Sequence, residues 1–159
     1  MITFREGKYT FVYRVVGIAL GGDRVLLHQV EGWDFWSLPG GRGEFLEASA
    51  DTLRREMREE LGCTVRVERL VWVVENFFED DGRSFHELGF YYLMALPPDS
   101  PLCQGDGPFA RRELTGELLI FRWFPLAEVG RLPLYPTFLR SGLQALPEAI
   151  THIVHIDGA

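Results

Sequence analysis

The sequence predicts an α+β domain, a mixed sheet sandwiched by helices in α/β/α layers. Three observations carry this. Segments rich in β-branched and aromatic residues recur along the chain, turns dense in Gly and Asp punctuate them, and only two segments have an apolar period near that of a helix. With 159 residues, 47% of them hydrophobic, the chain is long enough to bury a core and reads as one domain over 1–159.

The elements follow in order. "FVYRVVGIAL" (11–20) and "VLLHQV" (25–30) are strands joined by the turn "GGDR" into a hairpin. "WSLPGG" (36–41) is a short strand ended by Pro39 and two glycines, and the helix after it stops at Gly62, a residue favoured just past a helix C-terminus. "VRVERLVWVVENFF" (65–78) and "HELGFYYLMAL" (86–96) are strands about the turn "DDGR". Residues 97–116 have no clear period and are predicted as a long loop, the kind that carries function or stays unstructured. "ELLIFRWFPL" (117–126) is a strand, "LYPTFLRSGLQAL" (134–146) a C-terminal helix, and "AITHIVHI" (149–156) one more strand.

Charge and cysteine content narrow the function. A net charge of −7 argues against stable binding to a nucleic-acid backbone, which needs a basic surface. A small anionic substrate remains compatible where arginines or metal ions supply local positive charge. Two cysteines, Cys63 and Cys103, without a CxxC pair fit a reduced compartment. The N-terminus lacks the basic start and apolar core of a signal peptide, and no stretch nears the roughly 18 apolar residues of a membrane span. A cytoplasmic protein is therefore expected, with a homodimer left open.

The helix before Gly62 is unusual in its charge. Leu46, Ala50, Leu53, Met57 and Leu61 follow steps of three and four and form an apolar stripe. Glu56, Glu59 and Glu60 form a second stripe beside it, and like charges at those spacings cost an isolated helix a few tenths of a kcal/mol per pair. Two remedies exist: salt bridges, with Arg55 four residues before Glu59, or a divalent cation, because Mg²⁺ takes six oxygens and commonly uses a few carboxylates plus substrate phosphates.

The spacing distinguishes them. Gly41, five residues, Glu47, seven residues, then Arg55-Glu56-Met57-Arg58-Glu59-Glu60-Leu61-Gly62-Cys63 resembles the Nudix box, G-x5-E-x7-R-E-U-x-E-E-x-G-U, with U a bulky aliphatic residue. All seven fixed positions are filled; Met57 and Cys63 depart mildly at the U positions, and Leu46 stands where a glycine often precedes the Glu47 position. The resemblance implies a Nudix fold over most of the chain and hydrolysis of a nucleoside diphosphate linked to another moiety, X. It implies Mg²⁺ as cofactor, with Mn²⁺ as a substitute, and a small nucleotide derivative as partner.

The same resemblance implies the site residues. Glu59 and Glu60 are the expected metal ligands, and the Gly40 carbonyl resembles a backbone ligand. Glu56 is a third ligand or the general base, with Arg55 before it holding the carboxylates in place. Glu47 is expected to brace the loop and helix. A further carboxylate of the family often lies before a Trp-containing strand; Glu117, six residues before Trp123, is the first candidate and Glu113 the second. A Nudix domain that binds a nucleotide metabolite without turnover is the alternative, and an isomerase on the same scaffold a third reading.

For substrate binding the residues say less. Trp33 and Phe78 are the aromatic candidates for stacking on a base. Arg14, mid-strand among apolar residues, is costly without a partner and is a candidate for phosphate or carboxylate. Arg112, with Arg111, stands in the long loop as a phosphate clamp.

Overall fold

The computed structural model describes residues 1–158. Its strands are β1 (Thr3–Glu6), β2 (Tyr9–Gly21), β3 (Arg24–Val30), β4 (Gly40–Arg42), β5 (Arg66–Asp80), β6 (Arg83–Ala95), β7 (Phe109–Arg112), β8 (Leu118–Pro125) and β9 (Thr151–Ile156). The helices are α1 (Ser49–Leu61), α2 (Leu126–Val129) and α3 (Leu139–Gly142).

The sheet runs β7-β8-β3-β2-β6-β5-β9 and is mixed: β2 pairs parallel to β6, and β5 parallel to β9. β2 is the spine. One edge is taken up by β6 from Tyr9 to Ala19. The other is shared by β1 at its start, by β4 opposite Arg14–Val16, and by β3 at Leu20 and Gly21. Alternation along β2 then makes two cores, one per face. Val15 and Ala19 point to the face covered by α1, with Leu53, Met57 and Leu61. Val16 and Ile18 point to the opposite face, with Trp72, Tyr91, Leu139 and Leu143. The layered α/β/α reading holds, with thin helical cover on that second face.

Several sequence expectations are corrected. The predicted 11–30 hairpin pairs only at Leu20–Val25 and Gly21–Arg24, because the rest of that edge of β2 is claimed by β1 and β4. The predicted 36–41 strand shrinks to β4, with Ser37 and Trp36 held by single bridges to His28 and Leu134. Residues 97–116 contain a 3-10 turn at Pro101–Cys103 and strand β7. The predicted 134–146 helix is α-helical only over Leu139–Gly142. Leu134 instead makes a single bridge to Trp36 and the chain bends at 135–136, with Tyr135 N donating to Trp36 O, and Pro136 has no N–H to enter a ladder. Leu139 and Leu143 still reach the core, so the period was sound and the length was not. Leu46 does not join the α1 stripe: it precedes the helix, fully exposed, with φ 62°.

Candidate active site

α1 begins after a loop that folds back onto β4 and ends on Gly62, whose left-handed φ of 67° lets its N–H bond to Arg58 O. Arg55 is the hub of this unit. Its Nε and Nη2 donate to the two Glu47 oxygens at 2.8 and 3.0 Å, its Nη1 to Glu56 Oε1 at 2.8 Å, and its Nη2 also to Arg42 O at 3.0 Å. Glu59 Oε2 lies 3.6 Å from the same Nη1. Thr52 Oγ1 adds a 2.6 Å bond to Glu47, which this company holds down to about pH 2 in its titration, Arg55 first. Loop, strand and helix are thus pinned together through one guanidinium, whose planar fork of donors suits the task.

The three helix carboxylates have different surroundings. Glu59 is half exposed, Glu56 mostly buried, and Glu60 almost wholly buried, with Oε2 lacking any hydrogen-bond partner. Burial pushes Glu60 well above the usual carboxylate range; Glu56, Glu113 and Glu59 repel in the same direction, and Arg14 opposes them. Burial also raises Glu56, against the pull of Arg55. The Glu56 carboxylate lies where a side chain on Gly41 would stand, about 2.1 Å from that ideal Cβ, so only glycine admits it there. Gly40 is likewise pressed on the Val15 backbone oxygen, 2.2 Å from its ideal Cβ.

On the opposite face of the sheet from α1 opens a cavity of about 510 Å3. Arg14, Trp33 and Phe78 all line it, although they stand far apart in sequence. Trp33 stacks on Phe35 at 4.5 Å, and Phe35 meets Tyr135 edge-on at 5.8 Å, which makes an aromatic wall. Phe78 stacks on Phe85 at 4.9 Å on the other side. Arg14 donates weakly to Leu38 O at 3.4 Å, and its charge reaches Glu56, Glu60 and Glu87. It therefore links the carboxylate cluster electrostatically to the cavity.

Other predicted residues fall elsewhere. Arg112 is exposed on β7, donates to Gly116 O at 2.7 Å, and does not line the cavity. Arg111 lies over Gly62 at the C-terminal end of α1, where a cation complements the helix dipole. Glu117 is exposed, and its carbonyl accepts from Glu113 N; it is Glu113 whose charge reaches Glu60. Among the polar cavity residues that the sequence reading did not single out are Asn76, Glu87 and Asp157. The test that singled out Arg14, a polar side chain amid apolar strand residues, also finds Asn76 and Glu87.

A sequence profile of the NUDIX domain matches residues 10–146. The chain belongs to the Nudix hydrolase family. No curated protein matches the sequence. Among solved structures, this Nudix domain is similar to an ADP-ribose pyrophosphatase from Streptococcus suis, with 21% identity over 90% of this chain and 98% of that one and a TM-score of 0.58. It is also similar to a mutator MutT protein from Bacillus halodurans, at 21% identity over 91% and 89% with a TM-score of 0.62. A UDP-X diphosphatase shares 19% identity over 89% of this chain and 66% of its own, with a TM-score of 0.58. At these identities the likeness is one of fold, and the arrangement of Glu56, Glu59 and Glu60 on α1 is this chain's own Nudix helix.

Proposed function

We propose that this Nudix domain hydrolyses the pyrophosphate bond of a nucleoside diphosphate linked to a second moiety, X, with Mg²⁺ and with Mn²⁺ as a substitute. The observation that carries the reading is the buried, unpartnered Glu60 Oε2 beside Glu56 and Glu59, joined through the charge of Arg14 to an aromatic-walled cavity. A buried carboxylate oxygen without a partner is expensive, and its natural partner here is a cation. The donor set is all hard oxygen, which suits Mg²⁺. Among the described residues no three acidic, His or Cys side chains form a finished cage, while Arg55 occupies both Glu47 oxygens and one of Glu56.

Glu59 and Glu60, with the Gly40 carbonyl, are assigned as the residues that would hold the ion, and Glu56 as a third ligand or the base. When bound, the ion neutralises phosphate charge and makes water a better nucleophile. The chain's own part is positional. Arg55 engages Glu56 Oε1 and leaves Oε2 to accept the proton that the attacking water loses as it bonds to phosphorus. The anhydride P–O bond breaks, and the departing phosphate carries away the bonding pair. Arg14 offers positive charge between the carboxylates and the cavity, where the nucleotide ring stacks on Trp33 or Phe78. Glu113 is now the stronger choice than Glu117 for the additional carboxylate near Glu60.

A panel of nucleoside triphosphates, nucleotide sugars, ADP-ribose and dinucleotides, incubated with Mg²⁺, Mn²⁺ or EDTA and resolved by chromatography, tests this. Metal-dependent appearance of a nucleoside monophosphate or of pyrophosphate is expected. Binding without turnover of any member would replace the hydrolase reading with that of a nucleotide sensor.

A further inference from the structure

The aromatic wall of the cavity stands on two chain segments that hold each other. Trp36 N donates to Pro133 O at 2.8 Å and Tyr135 N to Trp36 O at 3.0 Å, so residues 33–36 and 133–136 are laced together. Trp33, Phe35, Tyr135 and Pro136 line the cavity from these segments. Apart from the single bridge between Trp36 and Leu134, neither segment has strand or helix structure, so its position depends on ties from outside. Thr137, the next residue, supplies one. Its N–H donates to Asp157 Oδ2 at 3.0 Å and its hydroxyl donates to Asp157 Oδ1. The hydroxyl oxygen then accepts from His155 Nε2 at 3.0 Å. The Asp157 side chain is only 9% exposed, so water competes little for these bonds.

Asp157 reaches the other side of the cavity through its main chain. Its N–H donates to Phe77 O at 2.9 Å, one step beyond the parallel pairing of β9 with β5, which ends at Phe77 and Ile156. Phe78, the next residue on β5, is the aromatic residue on that side. One residue therefore joins the two walls: its main chain is bonded to the strand that carries Phe78, and its side chain to the segment that carries Tyr135. Stacking needs ring faces at a set separation, and a slot held at that width in advance spares the ligand the cost of ordering it. The Thr, His and Asp side chains do not form a nucleophilic relay. The Thr137 hydroxyl gives its hydrogen to Asp157 directly, so His155 is not placed to take that proton.

We infer that Asp157 is a positioning residue for the substrate ring: through Thr137 and Tyr135 it holds the Trp33–Phe35 wall at the distance from Phe78 that a stacked ring needs. The α1 carboxylates are held separately, by Arg55, so Asp157 acts on the ring and not on the phosphates. This rests on the reading that the cavity takes the ring of a nucleotide, and it deepens that reading by naming what fixes the slot.

The test measures binding without turnover. The four α,β-methylene nucleoside diphosphates and ring-free methylenediphosphonate, whose P–C–P links resist hydrolysis, are titrated by calorimetry into the full chain with Mg²⁺. For the nucleotide that binds most tightly, Asp157→Ala should weaken binding at least tenfold, while methylenediphosphonate changes by less than about twofold. A merely destabilised protein would lose both together. Thr137→Val, which removes the hydroxyl at nearly constant volume and guards against a misfolded Asp157→Ala, should show the same selective loss in smaller measure. Thr137→Ser, which keeps both donors, should bind within about twofold of the parent. In a Trp33→Ala background Asp157→Ala should cost less than about threefold, because the wall it positions is already gone. Unchanged nucleotide affinity in folded Asp157→Ala, equal losses for nucleotide and methylenediphosphonate, or full additivity with Trp33→Ala overturns the inference and leaves the cavity reading intact. If neither Trp33→Ala nor Phe78→Ala alone weakens the nucleotide, the nucleotide reading of the cavity falls, and this inference with it.

Discussion

Single side chains carry most of the free-energy tension in this molecule. Glu60 is a buried carboxylate with an orphaned oxygen, so Glu60→Gln removes a charge that the fold alone does not neutralise. The variant should melt no lower than the parent in EDTA, while its Mg²⁺-dependent turnover falls more than tenfold. Near-normal turnover in the folded variant would remove Glu60 from the metal site. Arg55→Lys is the converse case. A single ammonium cannot replace four donor contacts to Glu47, Glu56 and Arg42, so a loss of about 1–3 kcal/mol in urea unfolding is expected, together with loss of activity. His28 gives a pH signature. Burial first, and then the charge of Arg14, hold its pKa down to about 3, against the opposing pull of the Ser37 carbonyl. The fold therefore keeps His28 neutral while the unfolded chain protonates near 6.5, so stability falls as pH drops from 6.5 towards 3. The whole window is worth on the order of 5 kcal/mol. His28→Phe, which keeps a ring to stack on Phe121, should lose less stability between pH 7 and pH 4 in urea titrations than the parent does.

At the scale of elements, the best-predicted parts are those whose evidence is local. β5, β6, β8 and α1 carry their own period or their own β-rich composition, and each lies within a few residues of its expected bounds. β1, β4 and β7 are three or four residues long and owe their existence to a partner strand, which no short window of sequence contains. The same distinction divides the site. The α1 carboxylates were legible because helical spacing brings them together, whereas the meeting of Arg14, Trp33 and Phe78 in one cavity depends on strand order. Arg112 and Glu117 were chosen by their place along the chain; Arg112 does not line the cavity, and it is Glu113 whose charge reaches Glu60. β4 and α1 meet closely at Gly41. Gly41→Ala places a Cβ on the Glu56 carboxylate, which must then swing away from its Arg55-bound position. Turnover should fall at least tenfold because misplacement of the reacting groups is costly, while the melting temperature should drop by less than about 8 °C. A variant with full activity would show that the position of Glu56 is not required.

The whole molecule is two cores on one sheet. Leu53 belongs to the α1 side and Leu139 to the cavity side, both without measurable exposure. Each Leu→Ala change is expected to cost about 2–5 kcal/mol, and the two should add within about 0.5 kcal/mol in a double-mutant cycle, because the sheet stands between them. A larger coupling would mean that the sheet transmits strain from one face to the other. The spine strand has a further consequence in time. β5 and β6 join through a tight turn at Asp80–Arg83 and can pair early, but β2 reaches β6 only by setting Tyr9 beside Ser84 in parallel. Pairings of such high contact order close slowly, on the order of milliseconds to seconds. Arg14 arrives beside Gly89 only in that step, so a nascent or refolding chain acquires its hairpin first and the charge that links the carboxylates to the cavity late.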